Sequence, residues 1–123
     1  MGSLDLKDIK VSNWILRISN DDNSNKAFGL FRDIIVSKDN SVNSCCLIVS
    51  NPSLFHLKDI NNYFLDIYIE KKNGKFIRTF NPDIFRSFGT LYESVLFADL
   101  YLRDLGLITL DKINYNPLWE QKI

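Results

Sequence analysis

The stretch that most constrains the fold is "YIEKKNGKFIRTF", residues 68–80, in which Asn-Gly separates two runs of alternating side chains. Asn73 and Gly74 suit the left-handed backbone of a tight turn. The β-branched and aromatic residues on both sides are typical of strands. The sequence therefore predicts a β-hairpin over 63–80.

Two turn types fit this hairpin, and they differ by one residue in register. With a two-residue turn, Ile69 pairs with Arg78, which places the arginine on the apolar face of the first strand. With a three-residue loop and a bulge, Ile69 pairs with Ile77, and Arg78 moves to the other face, beside Asp66 and Glu70. Since a slip of one residue exchanges the two faces, the cost of burying an arginine among hydrophobic side chains favours the bulged register.

Three further segments have the composition of strands. Residues 13–19 alternate apolar and polar side chains, and residues 44–50 form a short buried run. Segment 27–37 fits both a helix and a strand, but its β-branched end and Gly29 favour a strand. We therefore expect an antiparallel sheet of four or five strands that includes the hairpin.

Two helices are predicted after the hairpin, packed together against one face of the sheet. The segment Asn81-Pro82-Asp83 supplies a cap, a first-turn proline and a first-turn acid, which indicates a short helix over 82–88. Thr90 and Glu93 have the spacing of a capping box and predict a longer helix over 91–105.

Length and charge limit the class of protein. The chain has 123 residues, 46% of them hydrophobic, which is enough for one core and too little for two. We expect a single globular α+β domain over 1–123, in which residues 1–3 are a cloning remnant. The formal net charge of zero is unlike that of a general polyanion binder. No stretch resembles a signal peptide or a membrane span, so we predict a cytoplasmic protein.

Few residues suggest catalysis. Cys45 and Cys46 are adjacent in an apolar run and should point to opposite faces of a strand, so we expect buried free thiols. Cysteines that form no disulfide are typical of proteins in a reducing compartment. His56 is the sole histidine, and a zinc site needs several His and Cys ligands. The sequence therefore predicts no metal, no cofactor and no catalytic residue, and it favours a non-catalytic protein.

The predicted helix over 91–105 has apolar side chains on two sides. A stripe at spacings of four and three should face the core: Leu91, Val95, Ala98, Leu102 and Leu105. On the other side, Asp99 and Arg103 are spaced to pair. Three large apolar side chains lie beside them: Leu96, Phe97 and Leu100. Either the C-terminal tail covers these three through Tyr115, Leu118 and Trp119, or a partner does, which includes a homo-oligomer.

The outer face of the hairpin suggests a function. In the bulged register it combines aromatic rings, an arginine and two acids, a mixture typical of protein-recognition surfaces unless a strand or the tail covers it. We predict a small soluble binding protein that occupies another macromolecule, most readily a protein, as immunity proteins, antitoxins and phage inhibitors do. Asn, Ile and Lys are abundant, a bias that the codons of an AT-rich genome would produce, and such a genome suits these classes. The candidate contacts are Tyr68, Phe76, Arg78 and Phe80 on the hairpin, with Leu96, Phe97 and Leu100 on the helix.

The alternative is a nucleic-acid-binding module at the hairpin tip. Its cationic residues would be Lys71, Lys72, Lys75 and Arg78. The acids Asp66 and Glu70 lie among them and would repel phosphates, which places this alternative second. An enzyme that binds a small ligand in a carboxylate-lined pocket is the least favoured hypothesis.

Overall fold

The fold is α+β, as predicted from the sequence, in a computed structural model of the chain. The structure describes residues 4–20, 26–49, 63–79, 84–111 and 114–121, without the side chains of 18–20 and 26–28. An antiparallel sheet is followed by one C-terminal helix, α1 (Leu91–Asp104). Short 3-10 helices at Leu6–Asp8 and Pro117–Gln121 lie near the two ends of the chain.

Eight strands occur in the described ranges. They are β1 (Ile9–Val11), β2 (Ile15–Asn20), β3 (Lys26–Val36), β4 (Ser41–Val49), β5 (Tyr63–Ile67), β6 (Ile69–Lys72), β7 (Lys75–Arg78) and β8 (Ile84–Phe88). Six of them form the main sheet in the order β1-β3-β4-β5-β8, and β2 pairs with β3 beyond the end of β1. Strands β6 and β7 form the hairpin as a separate two-stranded sheet, so it is shorter than the predicted 63–80 and lies outside the main sheet, to which residues 63–67 belong as β5. The ambiguous segment 27–37 is a strand, as its β-branched end predicted.

The prediction of a short helix over 82–88 is wrong. Residues Ile84–Phe88 form β8, which pairs with β5 from Ile67↔Ile84 to Tyr63↔Phe88. A seven-residue helix is marginal by itself, whereas pairing satisfies the backbone groups along the free edge of β5. The predicted cap at 81–83 lies outside the described residues.

Helix α1 begins and ends at the predicted signals. The Thr90 hydroxyl accepts a hydrogen bond of 3.1 Å from the backbone N–H of Glu93. At the other end Gly106 is left-handed, with φ of 83°, and the N–H of Leu107 donates to the carbonyl of Leu102. This is a Schellman cap, which requires a residue that tolerates positive φ.

The core lies between α1 and the inner face of the sheet, which we define as the face that α1 covers. The helix packs against β4, β5 and β8. Fully buried side chains from the sheet are Leu30, Ile34, Ile48, Leu65 and Ile67. They pack against the predicted helical stripe, in which Leu105 is partly buried. The other four residues of the stripe are buried: Leu91, Val95, Ala98 and Leu102.

Both cysteines are buried and free, as expected. The strand register shifts between Arg32↔Cys46 and Asp33↔Ser44, so Cys45 is the extra residue of a β-bulge. The bulge breaks the alternation that would have placed the thiols on opposite faces. Burial raises the pKa of the Cys46 thiol well above its ordinary value, which keeps this thiol protonated.

A buried ion pair joins the helix to the sheet. The predicted pair between Asp99 and Arg103 is wrong, because Asp99 is only 1% exposed and its Oδ1 lies 3.1 Å from Nε of Arg32. Trp14 Nε1 donates to the same oxygen at 3.0 Å. Arg103 instead pairs with Asp104 at the surface. Burial raises the pKa of Asp99, and the Arg32 guanidinium opposes this rise.

The hairpin adopts the register that the sequence disfavoured. Ile69 pairs with Arg78 and Lys72 with Lys75, so the turn has two residues and the bulged register is wrong. Asn73 and Gly74 both have positive φ, 52° and 77°, as a type I′ turn requires. The twist of this turn matches that of the flanking strands. Arg78 avoids complete loss of hydrogen bonds because its Nη2 donates to the carbonyl of Ser44 at 2.7 Å.

Candidate functional site

The face of the sheet opposite α1, here called the outer face, carries the candidate site. Side chains on this face alternate with the core residues of each strand. They include Ile15, Arg17, Phe31, Asp33, Ser44, Leu47, Phe64, Asp66 and Phe85. Phe85 is 62% exposed, and Ile15 is also exposed. Because α1 covers only the inner face, this aromatic surface lies on the opposite side of the sheet from the packed core.

A pocket of about 300 Å³ opens on this side of the molecule. It is lined by Phe31, Ser44, Leu47, Tyr68, Arg78 and Thr79. Phe31 comes from β3, and Ser44 and Leu47 come from β4. Tyr68 lies between β5 and β6, and Arg78 and Thr79 lie at the end of β7 and just after it. The N–H of Thr79 donates to the carbonyl of Tyr68 at 2.9 Å, which holds these two segments together.

An ion pair stiffens the surface beside the pocket. Arg17 binds Asp33 with both terminal nitrogens, and its guanidinium carbon lies 5.0 Å from the ring centroid of Phe31. The Ser44 hydroxyl donates to Asp33 Oδ1 at 3.3 Å. The hydrogen bonds from Arg17 lower the pKa of Asp33. The pair is therefore neutral as a whole and has little freedom to bind another charge.

Asp33→Asn should remove stability that depends on pH. The folded pKa of Asp33 lies below 3.8, so its contribution is present above pH 3.8 and is lost as the pH falls through the folded pKa. Because Arg17 is 40% exposed, solvent screening limits the loss at pH 7 to about 1 kcal/mol. Urea unfolding at pH 7 and at pH 2 checks this. The difference from wild type should shrink in acid, while an equal difference at both pH values would contradict the argument.

Arg78 has no matching charge on the described residues. Its Nη2 donates to the Ser44 carbonyl, and its buried Nε has no hydrogen-bond partner. Neither of the carboxylates predicted to lie beside it forms an ion pair with it, although the buried Oδ1 of Asp66 also has no hydrogen-bond partner on the described residues. Asp66 accepts a 3.1 Å hydrogen bond from the Tyr68 hydroxyl, and Glu70 lies 3.5 Å from Nζ of Lys72. The guanidinium thus adds an uncompensated positive charge to the wall of the pocket.

The structure brings together two of the predicted contacts and separates the others. Tyr68 and Arg78 line the same pocket although the predicted register was wrong. Phe76 is 2% exposed and belongs to the core, so its prediction as a surface contact is wrong. Its backbone pairs with Leu4, which brings the N-terminal segment against β7. Phe80 lies outside the described residues.

The predicted helical contacts are half-buried on the opposite side of the sheet: Leu96, Phe97 and Leu100. Phe97 packs on Phe88 of β8 with ring centroids 5.4 Å apart, and the Arg86 guanidinium lies 4.7 Å from its ring. The C-terminal tail packs on the first turn of α1, where the rings of Tyr115 and Tyr92 meet edge-on with their centroids 5.2 Å apart.

The lysines of the hairpin tip are exposed, but each has a local interaction. Lys72 lies near Glu70, and Lys75 Nζ lies 2.9 Å from Oδ1 of Asp5. Lys71 Nζ lies 5.5 Å from the ring centroid of Phe76. Arg78, the fourth residue of the predicted nucleic-acid site, lines the pocket instead. The tip therefore presents less free positive charge than its sequence indicates.

Sequence reasoning missed the residues that β3 and β4 contribute to the pocket: Phe31, Ser44 and Leu47. The signal was present in the alternation of β3, since a strand that buries Leu30 turns Phe31 to the other face. The closeness of β3, β4 and the end of β7 was not encoded in any local pattern.

Within the described ranges, no group of three His, Cys, Asp or Glu side chains is placed to hold a metal ion. None of the helices described is both long enough and apolar enough to cross a membrane. The chain matches no protein-family model, no curated protein and no solved structure.

Proposed function

We propose that this chain is a small non-catalytic binding protein that acts by occupying another protein, in the manner of immunity proteins, antitoxins and phage inhibitors. The observation that supports the proposal is the outer face, where exposed aromatic and aliphatic side chains share one side of the sheet with a pocket whose arginine has no carboxylate partner on the described residues. Aromatic residues and arginine are enriched in protein interfaces, and they dominate the residues that contribute most to affinity.

The rigidity of the outer face also suits binding. Arg17 is held by Asp33, and the Tyr68 hydroxyl is held by Asp66. The ring of Phe85 stacks on that of Phe64 with centroids 6.0 Å apart. Side chains that are already ordered lose less entropy on association, so a surface of this kind can bind with a modest area.

The charges on this face favour a protein over a nucleic acid. Asp66 lies on the outer face and forms no ion pair with a described residue, so it would repel a phosphate backbone that tracked across this face. Single-stranded nucleic-acid sites combine stacked aromatic rings with a continuous positive groove. The outer face has the rings without such a groove, and the chain has a formal net charge of zero.

The proposal is tested by capture from a native lysate of the source organism with Phe85→Asp. The matched control is Leu118→Asp, because Leu118 is likewise 62% exposed but lies in the C-terminal tail. We expect the Phe85 variant to lower capture of a specific protein by about tenfold or more, as for a residue at the centre of an interface. Circular dichroism verifies that both variants fold.

Four outcomes would count against the proposal. Unchanged capture by the Phe85 variant would exclude the outer face, and an equal loss with the Leu118 control would show a nonspecific effect. Capture that is abolished by nuclease treatment would favour the nucleic-acid alternative. Self-association through the outer face would appear in light scattering as a mass that rises with concentration, and it would replace the foreign partner with a second copy.

A further inference from the structure

We propose that the pocket on the outer face receives a carboxylate carried on an apolar group of the partner protein, and that Arg78 is its counter-ion. The inference rests on the proposed function and names the chemistry that this function would recognise. The occupant is one acidic side chain of the partner.

The composition of the pocket indicates both halves of this ligand. Phe31, Leu47 and the ring of Tyr68 supply apolar walls. Arg78 supplies a positive charge beside them, of which one nitrogen is used by the Ser44 carbonyl. A ligand that matches these walls has an apolar stem and one negative group, since apolar pockets use a few placed polar groups for specificity.

The electrostatics of Arg78 point to an acid rather than to a neutral group. A partly buried guanidinium is costly unless a carboxylate or a comparable acceptor is paired with it. Two arginines of the main sheet have such partners, because Arg17 binds Asp33 and Arg32 binds Asp99. The exposed Arg86 of β8 instead lies over the ring of Phe97. Arg78 has only a neutral carbonyl and an unpartnered Nε on the described residues. An incoming carboxylate would complete the same arrangement.

The size of the pocket suits a side chain, and the charge beside it favours a carboxylate over a phosphate. A volume of about 300 Å³ is at the lower limit for small-molecule sites, so it suits a single side chain. Asp66 lies on the same face, opposite Leu47, and its charge disfavours a doubly charged phosphate more than a singly charged carboxylate. The Arg17–Asp33 pair is already satisfied and does not compete for the ligand.

The register of the hairpin supports a functional role for Arg78. Burial cost alone favours a bulged hairpin that moves this arginine to the other face, yet the fold pairs Arg78 with the fully buried Ile69. Proteins most often depart from the rules of strand register and burial at functional residues, and other parts of the fold then offset the lost stability. The position of Arg78 in a pocket wall is consistent with such a role.

The test uses 3-phenylpropionate, an apolar group that carries one carboxylate, and its neutral counterpart 3-phenylpropionamide. Each is titrated into the ¹⁵N-labelled chain while NMR follows the Arg78 side-chain Nε–H and the backbone amides of Leu47 and Tyr68. We expect saturable shifts at these three positions with the carboxylate, with a Kd of about 1–10 mM as for a fragment of this size. The amide should bind at least about fivefold more weakly, because charge-assisted hydrogen bonds are the stronger ones.

The matched variants are Arg78→Gln and Arg103→Gln. Arg103 is an exposed arginine on α1, so its replacement should leave the titration unchanged. Arg78→Gln should abolish the preference for the carboxylate over the amide. Because the comparison of the two ligands on the wild-type chain needs no variant, the test stands even if Arg78→Gln fails to fold.

Equal binding of the two ligands, or no shifts up to about 20 mM, would overturn the proposal, since even weak fragments bind in this range. A Kd below about 10 µM for the free carboxylate would also overturn it, because a fragment held so tightly indicates a small-molecule site. No partner is needed for this titration. If it fails while capture still depends on Phe85, the assignment of the pocket falls and the proposed function stands.

Discussion

Asp99→Ala should destabilise the protein by about 3–5 kcal/mol, the usual cost of leaving a buried charge without its partner. Arg32 would remain nearly buried in the core, and among the described residues its remaining acceptor would be the carbonyl of Ser12, 2.8 Å from its Nη1. Trp14 Nε1 would also lose its acceptor. A loss of this size is a large part of the total stability of a domain.

Urea unfolding measures this loss as a lower midpoint at an unchanged slope. Asp104→Ala is the control on the same helix, since this exposed aspartate pairs with Arg103 at the surface and should change the free energy of unfolding by less than about 0.5 kcal/mol. The double variant Arg32→Met with Asp99→Asn removes both charges and keeps an acceptor for Trp14. It should recover most of the loss, as neutral replacements of buried ion pairs do. A double variant as unstable as Asp99→Ala would show that the unpaired charge is not the cause.

Leu102→Ala should lower the free energy of unfolding by about 3–5 kcal/mol through the cavity it leaves in the core. Leu102 is fully buried on the face of α1 that packs against the sheet. Alanine has at least the helix propensity of leucine, so the backbone of α1 is not weakened by the change. The loss therefore reports packing between the helix and the sheet.

The same urea measurement checks Leu102→Ala, and Leu118→Ala provides the control. Leu118 is 62% exposed, so its truncation should change stability by less than about 0.5 kcal/mol. A change below about 1 kcal/mol for Leu102→Ala would mean that the core collapses around the cavity or that α1 contributes little to stability.

The elements that were correctly predicted have strong local signals. Thr90 and Glu93 mark the start of α1, and the Schellman cap at Gly106 marks its end. The spacing of the helical core stripe follows from the 3.6-residue period, which operates within one segment. Segment 27–37 could be assigned to a strand because its β-branched residues fit a sheet.

The short helix over 82–88 shows where local signals fail. A proline and an acid near its start favour a helix, but the same residues pair with the edge of β5 as β8. The edge of β5 lies some twenty residues earlier in the chain. Its unpaired backbone groups provide hydrogen bonds that no helical propensity in seven residues can match.

The residues of the candidate site likewise divide into those with a local sequence signal and those brought in by contacts between distant segments. Tyr68 and Arg78 could be named from the hairpin alone, because aromatic and arginine residues around an Asn-Gly turn are visible in sequence. Phe31, Ser44 and Leu47 could not, since they reach the pocket only when β3 and β4 pair. Phe76 was misassigned because the predicted register was wrong: the two-residue turn places Phe76 on the same face of the hairpin as the fully buried Ile69.

By itself, the sequence determined the fold class, the tight Asn-Gly hairpin, the limits of α1 and the stripe that α1 buries, because each depends on residues within a few positions of one another. Only the tertiary structure decided that 84–88 is a strand, that Asp99 pairs with Arg32, and that Arg78 lines a pocket. These depend on burial and on partners from distant segments. A charged side chain taken from water must find its partner wherever the fold supplies one, and sequence spacing does not reveal where that is.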